Sequence, residues 1–303
     1  MRKSIPWADS STDPAAGADQ VAGSAISLRG ASLELDGRRL WSELNLDIDA
    51  GEFLAVLGPN GAGKTSLLKV LLGLLPLSAG TATLAGQRPR RGSNLVGYVP
   101  QQKGFDADLG ARGRDLVALG LMGHRYGRLI PGRETRRRVE AAIDAVGAQA
   151  YGGAPVGRLS GGEQQRLRIA QALISDPPVL LCDEPLLSLD LHHQREVVEL
   201  LDTRRRVTDT AVVMVTHEIN PVLPIVDRIL YLVAGRWAVG PPSEVMTSER
   251  LSELYQTRID VVRVQGRILV VGAAESMTSE LPGADSPHHA HAVQPGRGAR
   301  QRR

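Results

Sequence analysis

Aromatic side chains are scarce in this chain: Phe, Tyr and Trp together make up 3% of its 303 residues. So thin a supply argues against a base-stacking surface of the kind that binds single-stranded nucleic acid. Cysteine is scarcer still. Cys182 is the only one and lies in an apolar run, so no internal disulfide can form and a reducing, cytosolic compartment is expected. Long apolar runs are missing too. The strongest clusters, near 67–77 and 179–182, are short or are broken by Lys, Gly and Pro, well below the ~20 residues a membrane-spanning helix needs. The opening MRKSIPWADSSTDPAAG has no apolar core behind its basic start, so a secretory signal is not expected. Charge of one sign is also lacking. The formal net charge is +3, and the last seven residues, RGARQRR, carry four arginines. Without them the remainder is close to neutral, so the basic isoelectric point gives no argument for a nucleic-acid partner.

What the chain does have is Gly58-Pro59-Asn60-Gly61-Ala62-Gly63-Lys64-Thr65, a G-x-x-x-x-G-K-T pattern. An apolar run at 53–57 leads into it and Ser66 opens a helical run, 66–72, after it. Strand before and helix after are the context that makes this a phosphate-binding loop. The glycines let backbone N–H groups turn toward phosphate oxygens, and the new helix presents its positive end to them. Lys64 reaches the β- and γ-phosphates and the Thr65 hydroxyl suits Mg²⁺. The expected ligand is a nucleoside triphosphate.

Residues 1–25 are rich in Ala, Gly, Asp, Ser and Pro and read as a disordered lead-in. Alternation at 26–28, 33–35 and 44–48, with an Asp36-Gly37 turn, predicts a small antiparallel sheet ahead of the loop. Further strands are expected at 82–84 and 96–99. From about 103 to 160 the pattern turns helical, with helices at 115–121 and 134–146 and the loop GHRYGRLIPGRE between them. Ser160 and Glu163 form a capping box that opens a helix over 164–174. Strands follow at 179–182 and 211–216, with an amphipathic helix at 191–206 between them. A hairpin about Ala234-Gly235, a helix at 243–255 and a last hairpin about Gln265-Gly266 complete the reading. Residues 273–303 are again polar and read as a disordered tail, and no internal repeat is evident.

Asp183-Glu184 ends the apolar strand at 179–182. Beside a phosphate loop, one carboxylate serves Mg²⁺ and its neighbour orients and deprotonates an attacking water. Asp183 takes the first part and Glu184 the second.

With these parts in place the chain resembles the ATP-binding-cassette (ABC) ATPases. LSGGEQQR at 159–166 resembles their LSGGQ-type signature, with Glu163 at its fifth position. Gln101 in YVPQQ resembles the Q-loop glutamine (Gln102 is the alternative), Ser188-Leu189-Asp190 the D-loop, and His217 in VTHE the switch histidine. The likeness runs from about 26 to 272. It implies an α/β fold: a P-loop ABC ATPase with a RecA-like core, a small antiparallel β-subdomain and a helical subdomain at about 103–160. It further implies ATP and Mg²⁺ as cofactors, with Thr65, Gln101 and Asp183 about the metal. Two cassettes then pair head to tail. Ser160 and Gly162 complete the γ-phosphate site in trans, and His217 holds the γ-phosphate in cis. The partners implied are a second ATPase subunit and a transmembrane permease at the inner face of the cell membrane, with an extracytoplasmic solute-binding protein acting indirectly. The family stacks adenine on an aromatic ring in the first sheet. Here that position falls at Leu35, with Trp41 several residues late.

Other classes fit less well. Repair-type ABC proteins carry a very long coiled coil between Q-loop and signature, translation-type ones usually carry two cassettes, and a small-molecule P-loop kinase has no use for a signature or D-loop. Within transporters, THEINPVLPIVDRILYLVAGR and the segment that follows to Gly272 resemble ATPases of the manganese/zinc/iron-chelate importers, an importer of another solute being the alternative. His288, His289 and His291 are read as part of a polar tail rather than a metal site.

Overall fold

The computed structural model of the chain describes residues 24–101, 104–106, 108–122 and 132–272. The predicted lead-in through residue 23, Gln102, the loop through residue 131 and the tail with its three histidines lie outside the described residues.

The core is a six-stranded sheet, assembled from runs that are apolar on both faces. Strands β3 (Phe53–Leu57), β6 (Val179–Asp183) and β7 (Ala211–Val215) are buried along their whole length, the pattern of parallel strands covered on both sides. With β5 (Val96–Val99), β8 (Arg228–Val233) and β9 (Arg236–Gly240) they stand in the order β5-β6-β7-β3-β8-β9. The first five run parallel and only β9 is antiparallel. Alternate residues serve two cores. Phe53, Ala55 and Leu57 face the cluster that includes Leu167 and Leu201, whereas Leu54 and Val56 face Leu67, Leu68 and the small sheet.

That small sheet has the order β2-β1-β4 and is antiparallel, built from β1 (Ile26–Leu35), β2 (Arg38–Ile48) and β4 (Ala79–Leu84). Helix α1 (Lys64–Leu71) follows the phosphate loop. Helices α2 (Gly113–Met122), α3 (Arg133–Ala145) and α4 (Gly161–Leu173) pack on one another, and α5 (Leu191–Thr208) joins β6 to β7.

The helix predicted at 243–255 is instead two, α6 (Pro242–Val245) and α7 (Ser248–Tyr255). Thr247 breaks it. Its backbone is extended, and its side chain accepts the Arg250 N–H, capping α7. The chain ends in the hairpin β10 (Asp260–Val264) and β11 (Arg267–Val271).

In a parallel sheet ligands bind beyond the carboxyl ends of the strands. Here β3 runs into the phosphate loop, β5 toward Gln101, β6 into Asp183-Glu184 and β7 into Thr216-His217. Segments distant in sequence thus open on one edge.

Candidate active site

Gly58 begins the loop in a backbone conformation reserved for glycine, φ 137°, and a Cβ there would lie 2.0 Å from the Leu232 carbonyl oxygen of β8. Only glycine lets the loop leave β3 so close to its neighbour. Lys64 is buried at the head of α1, where its ammonium donates to the carbonyls of Gly58 (2.7 Å) and Pro59 (2.9 Å). Burial lowers the Lys64 pKa, and the charges of Glu184 and Asp183 oppose that shift. Ala62 is buried against the small-sheet core. Asn60, Gly61, Gly63, Lys64, Thr65 and Ser66 line a groove of ≈ 870 Å³, a volume ordinary for a small-molecule site.

Asp183 is 4% exposed and accepts a hydrogen bond from the Thr65 hydroxyl at 3.2 Å. Burial pushes its pKa up, with the Thr65 bond opposing. Burial pushes the pKa of Tyr98, on β5, up to about 12, helped by the charge of the same carboxylate. Glu184 follows in a left-handed conformation, φ 50°, its N–H bonded to the Val215 carbonyl at 2.9 Å. Its carboxylate lies between two polar groups: Gln101 Nε2 donates to Oε2 at 3.1 Å, and His217 Nε2 lies 2.5 Å from Oε1.

The opposite wall carries residues that sequence reasoning did not single out. Arg38 and Leu40 join Leu35 from the small sheet, and Leu187 joins from the loop after Glu184. No spacing rule marks them. They reach the groove because the Asp36-Gly37 turn folds β2 back beside the phosphate loop. Trp41 is fully buried, and a Cβ on Gly63 would lie 3.0 Å from its Cδ1. It packs beneath the loop and offers no face to a base.

Ser160, Gly162 and Asp190 do not line this groove. Ser160 caps α4 with both bonds of the capping box: its Oγ accepts from Glu163 N at 3.3 Å, and Glu163 Oε2 accepts from Ser160 N at 2.8 Å. Asp190 caps α5, accepting the N–H groups of His192 (2.9 Å) and His193 (3.0 Å).

A glycine-rich turn joining a buried parallel strand to a helix, faced at the strand ends by paired carboxylates, defines a P-loop nucleoside triphosphatase. The comparisons narrow the class. The family model described as ABC transporter matches residues 41–187. The chain is 35% identical over 220 residues to the zinc transport system ATP-binding protein TroB of Treponema pallidum (strain Nichols), covering 73% of this chain and 82% of that one. It is 31% identical over 237 residues to the manganese transport system ATP-binding protein MntB of Bacillus subtilis (strain 168), covering 77% and 92%. Among solved structures it is similar to the ATP-binding cassette MJ0796, described as a dimer in a post-hydrolysis state bound to ADP and Pi. That likeness has 26% identity and a TM-score of 0.59, and covers 70% of this chain and 97% of that one. The chain belongs to the ATP-binding subunits of ABC transporters, whose activity is ATP hydrolysis coupled to transport. No helix among the described residues is long and apolar enough to cross a membrane.

Proposed function

We propose that the chain powers import of a divalent metal ion, zinc or manganese (or iron), through a separate membrane permease. The observation that carries the ATPase chemistry is Glu184, held between Gln101 and His217 on the groove that the phosphate loop forms. Glu184 is the base that takes a proton from the attacking water, a contribution of about 10²–10⁴ in rate. His217 holds the γ-phosphate. Lys64 exchanges its two loop carbonyls for the β- and γ-phosphates, which the amides of 58–66 surround.

The donors fit Mg²⁺. Thr65, Asp183 and Gln101 supply hard oxygen ligands. Asp183 is a buried carboxylate whose hydrogen-bond partner, the Thr65 hydroxyl, is neutral, an arrangement that favours a cation beside it. When bound, Mg²⁺ neutralises phosphate charge as it develops.

Ser160 and Gly162 stand outside the groove and close the site of a second copy, paired head to tail. Closure passes through Gln101 and the region 112–132, which includes α2, to a cytoplasmic loop of the permease, with the chain peripheral on the inner face of the membrane. An extracytoplasmic binding protein and the permease choose the ion. The described residues hold no group of three or more His, Cys, Asp and Glu side chains arranged for a metal, and the metal reading rests on the zinc and manganese systems of the relatives.

Deleting the chain from its host should abolish high-affinity Zn²⁺ or Mn²⁺ accumulation, measured with radioactive ions. Loss of an organic solute's uptake with metal uptake unchanged would overturn the substrate and leave the ATPase standing.

A further inference from the structure

Loop 184–190 links two places that an ATPase working in pairs must coordinate. It begins at Glu184, passes Leu187 on the groove wall, and ends at Asp190, the cap of α5. There His193 turns back. Its Nδ1 lies 2.7 Å from Asp190 Oδ2, and its ring lies against the first turn of α4. A Cβ built on Gly162 would sit 2.8 Å from His193 Cδ2 and 3.1 Å from Cγ, so the ring occupies the space a side chain at 162 would need. One turn further along both helices a second link repeats the connection. Arg166 of α4 pairs with Glu196 of α5, which also has His192 Nε2 at 3.5 Å, while Arg166 Nη1 donates to the Val146 carbonyl that follows α3.

We infer that His193 is a positioning residue that fastens the loop carrying Leu187 and Asp190 to the Gly162 end of α4, so that each subunit's own groove and the surface it offers to its partner's ATP move together. This rests on the head-to-tail pairing proposed above. The groove side of the link senses nucleotide in cis, and the Gly162 side meets nucleotide in trans. Asp190 orients the ring through one charge-assisted bond, and the ring sets where the Gly162 backbone stands. The titratable and charged groups shown to interact with the ring are Asp190, the cap of its own helix, and His192 and Glu196 of α5. The contribution is steric and directional. A link of this kind couples two sites only if both bias the same element, and that element is loop 184–190 together with the first turn of α5: Leu187 lines the groove and His193 meets Gly162.

The test uses the full chain carrying Glu184→Gln, so that bound ATP persists. Two quantities are measured: affinity for a fluorescent ATP analogue at protein concentrations too low for pairing, and ATP-driven dimer formation by analytical ultracentrifugation. Adding His193→Ala should leave the first unchanged and raise the protein concentration for half-dimerisation by about tenfold, the scale of one lost hydrogen bond to a charged group. His193→Asn, which keeps a donor toward Asp190, should recover most of the loss. His193→Phe, which keeps the ring against Gly162 without the bond, should not. Parental dimerisation in either the Ala or the Phe variant overturns the inference, as does a matching loss of nucleotide affinity. A Glu184→Gln protein that stays monomeric in saturating Mg-ATP overturns the pairing itself, and this inference with it.

Discussion

The N-termini of α1 and α4 are both glycine-rich, and they are finished in opposite ways. Helix α1 begins after Gly63, left-handed at φ 94°, with no side-chain cap and no acidic residue in its first turn. Helix α4 begins after Ser160 with a complete capping box and Glu163 in its first turn. At α1 the orphan amides are left for an anion, and the cation at the head of the helix, Lys64, is tied to loop carbonyls it can release. At α4 the same kind of amides are partly satisfied from within, and Ser160 Oγ also donates to Glu163 at 2.9 Å. A helix end is an anion site only so far as its own side chains leave it open. The α1 end can take phosphate alone. The α4 end must exchange an internal bond first, which suits a surface that engages only when a partner brings the nucleotide.

The largest expected effects separate these two ends. Glu184→Gln should lower turnover by about 10²–10⁴ with ATP still bound, whereas Lys64→Ala should lose binding itself. Ser160→Ala should leave the affinity of the isolated subunit for ATP unchanged while turnover falls. Loss of its cap, about 1 kcal/mol, should lower the melting temperature by about 2–4 °C. Nucleotide titrations beside steady-state rates check all three. If Ser160→Ala weakened binding to the isolated subunit, the two ends would not be independent.

The next effect concerns the base. Leu35 lines the groove wall without a ring, so discrimination between ATP and GTP should be weak. Leu35→Tyr should tighten ATP binding by about tenfold, the lower end of the 1–3 kcal/mol of base–aromatic stacking. Trp41→Ala should cost about 3–5 kcal/mol of stability and leave the ATP/GTP ratio alone. A strong ATP preference lost in Trp41→Ala would contradict the buried ring.

Trp41 also shows where the sequence stops being legible. The buried positions of β2 alternate as Leu44, Leu46 and Ile48. Counted backward, that alternation puts Trp41 on the outer face. Glu43 adopts a positive φ of 53°, and the β1–β2 register shifts between Ala31↔Leu44 and Leu33↔Trp41. The bulge reverses the face, as an extra residue in a strand must, and alternation alone cannot reveal it. By contrast β3, β6 and β7 were readable, because strands buried on both faces need no phase. The phosphate loop and the α4 cap were readable because both are local in sequence. The meeting of Gln101, Glu184 and His217 was available only by resemblance, since their contacts depend on the strand order and no spacing encodes it. The break at Thr247 was missed because Met246, turned inward and buried, continues the apolar pattern across it.

The smallest expected effect runs against the function. Burial raises the Asp183 pKa, so the folded chain penalises its charged form relative to the unfolded one. For a carboxyl shifted upward, that penalty is present above the folded pKa and is relieved as pH falls through it toward the unfolded value of about 3.9. Asp183→Asn removes the charge and keeps a group able to accept the Thr65 hydrogen bond. In EDTA and without nucleotide, at neutral pH, the variant should melt higher than the parent, by about 2–4 °C for each kcal/mol relieved. The difference should shrink as the pH approaches about 4. With Mg-ATP the order should reverse, because the parent gains ligand-linked stability that the variant cannot. Thermal melts over pH with and without Mg-ATP decide it: a lower melting temperature for Asp183→Asn in EDTA would mean that Lys64 and Lys69, whose charges favour the carboxylate, outweigh its burial, and that the site is balanced without a metal.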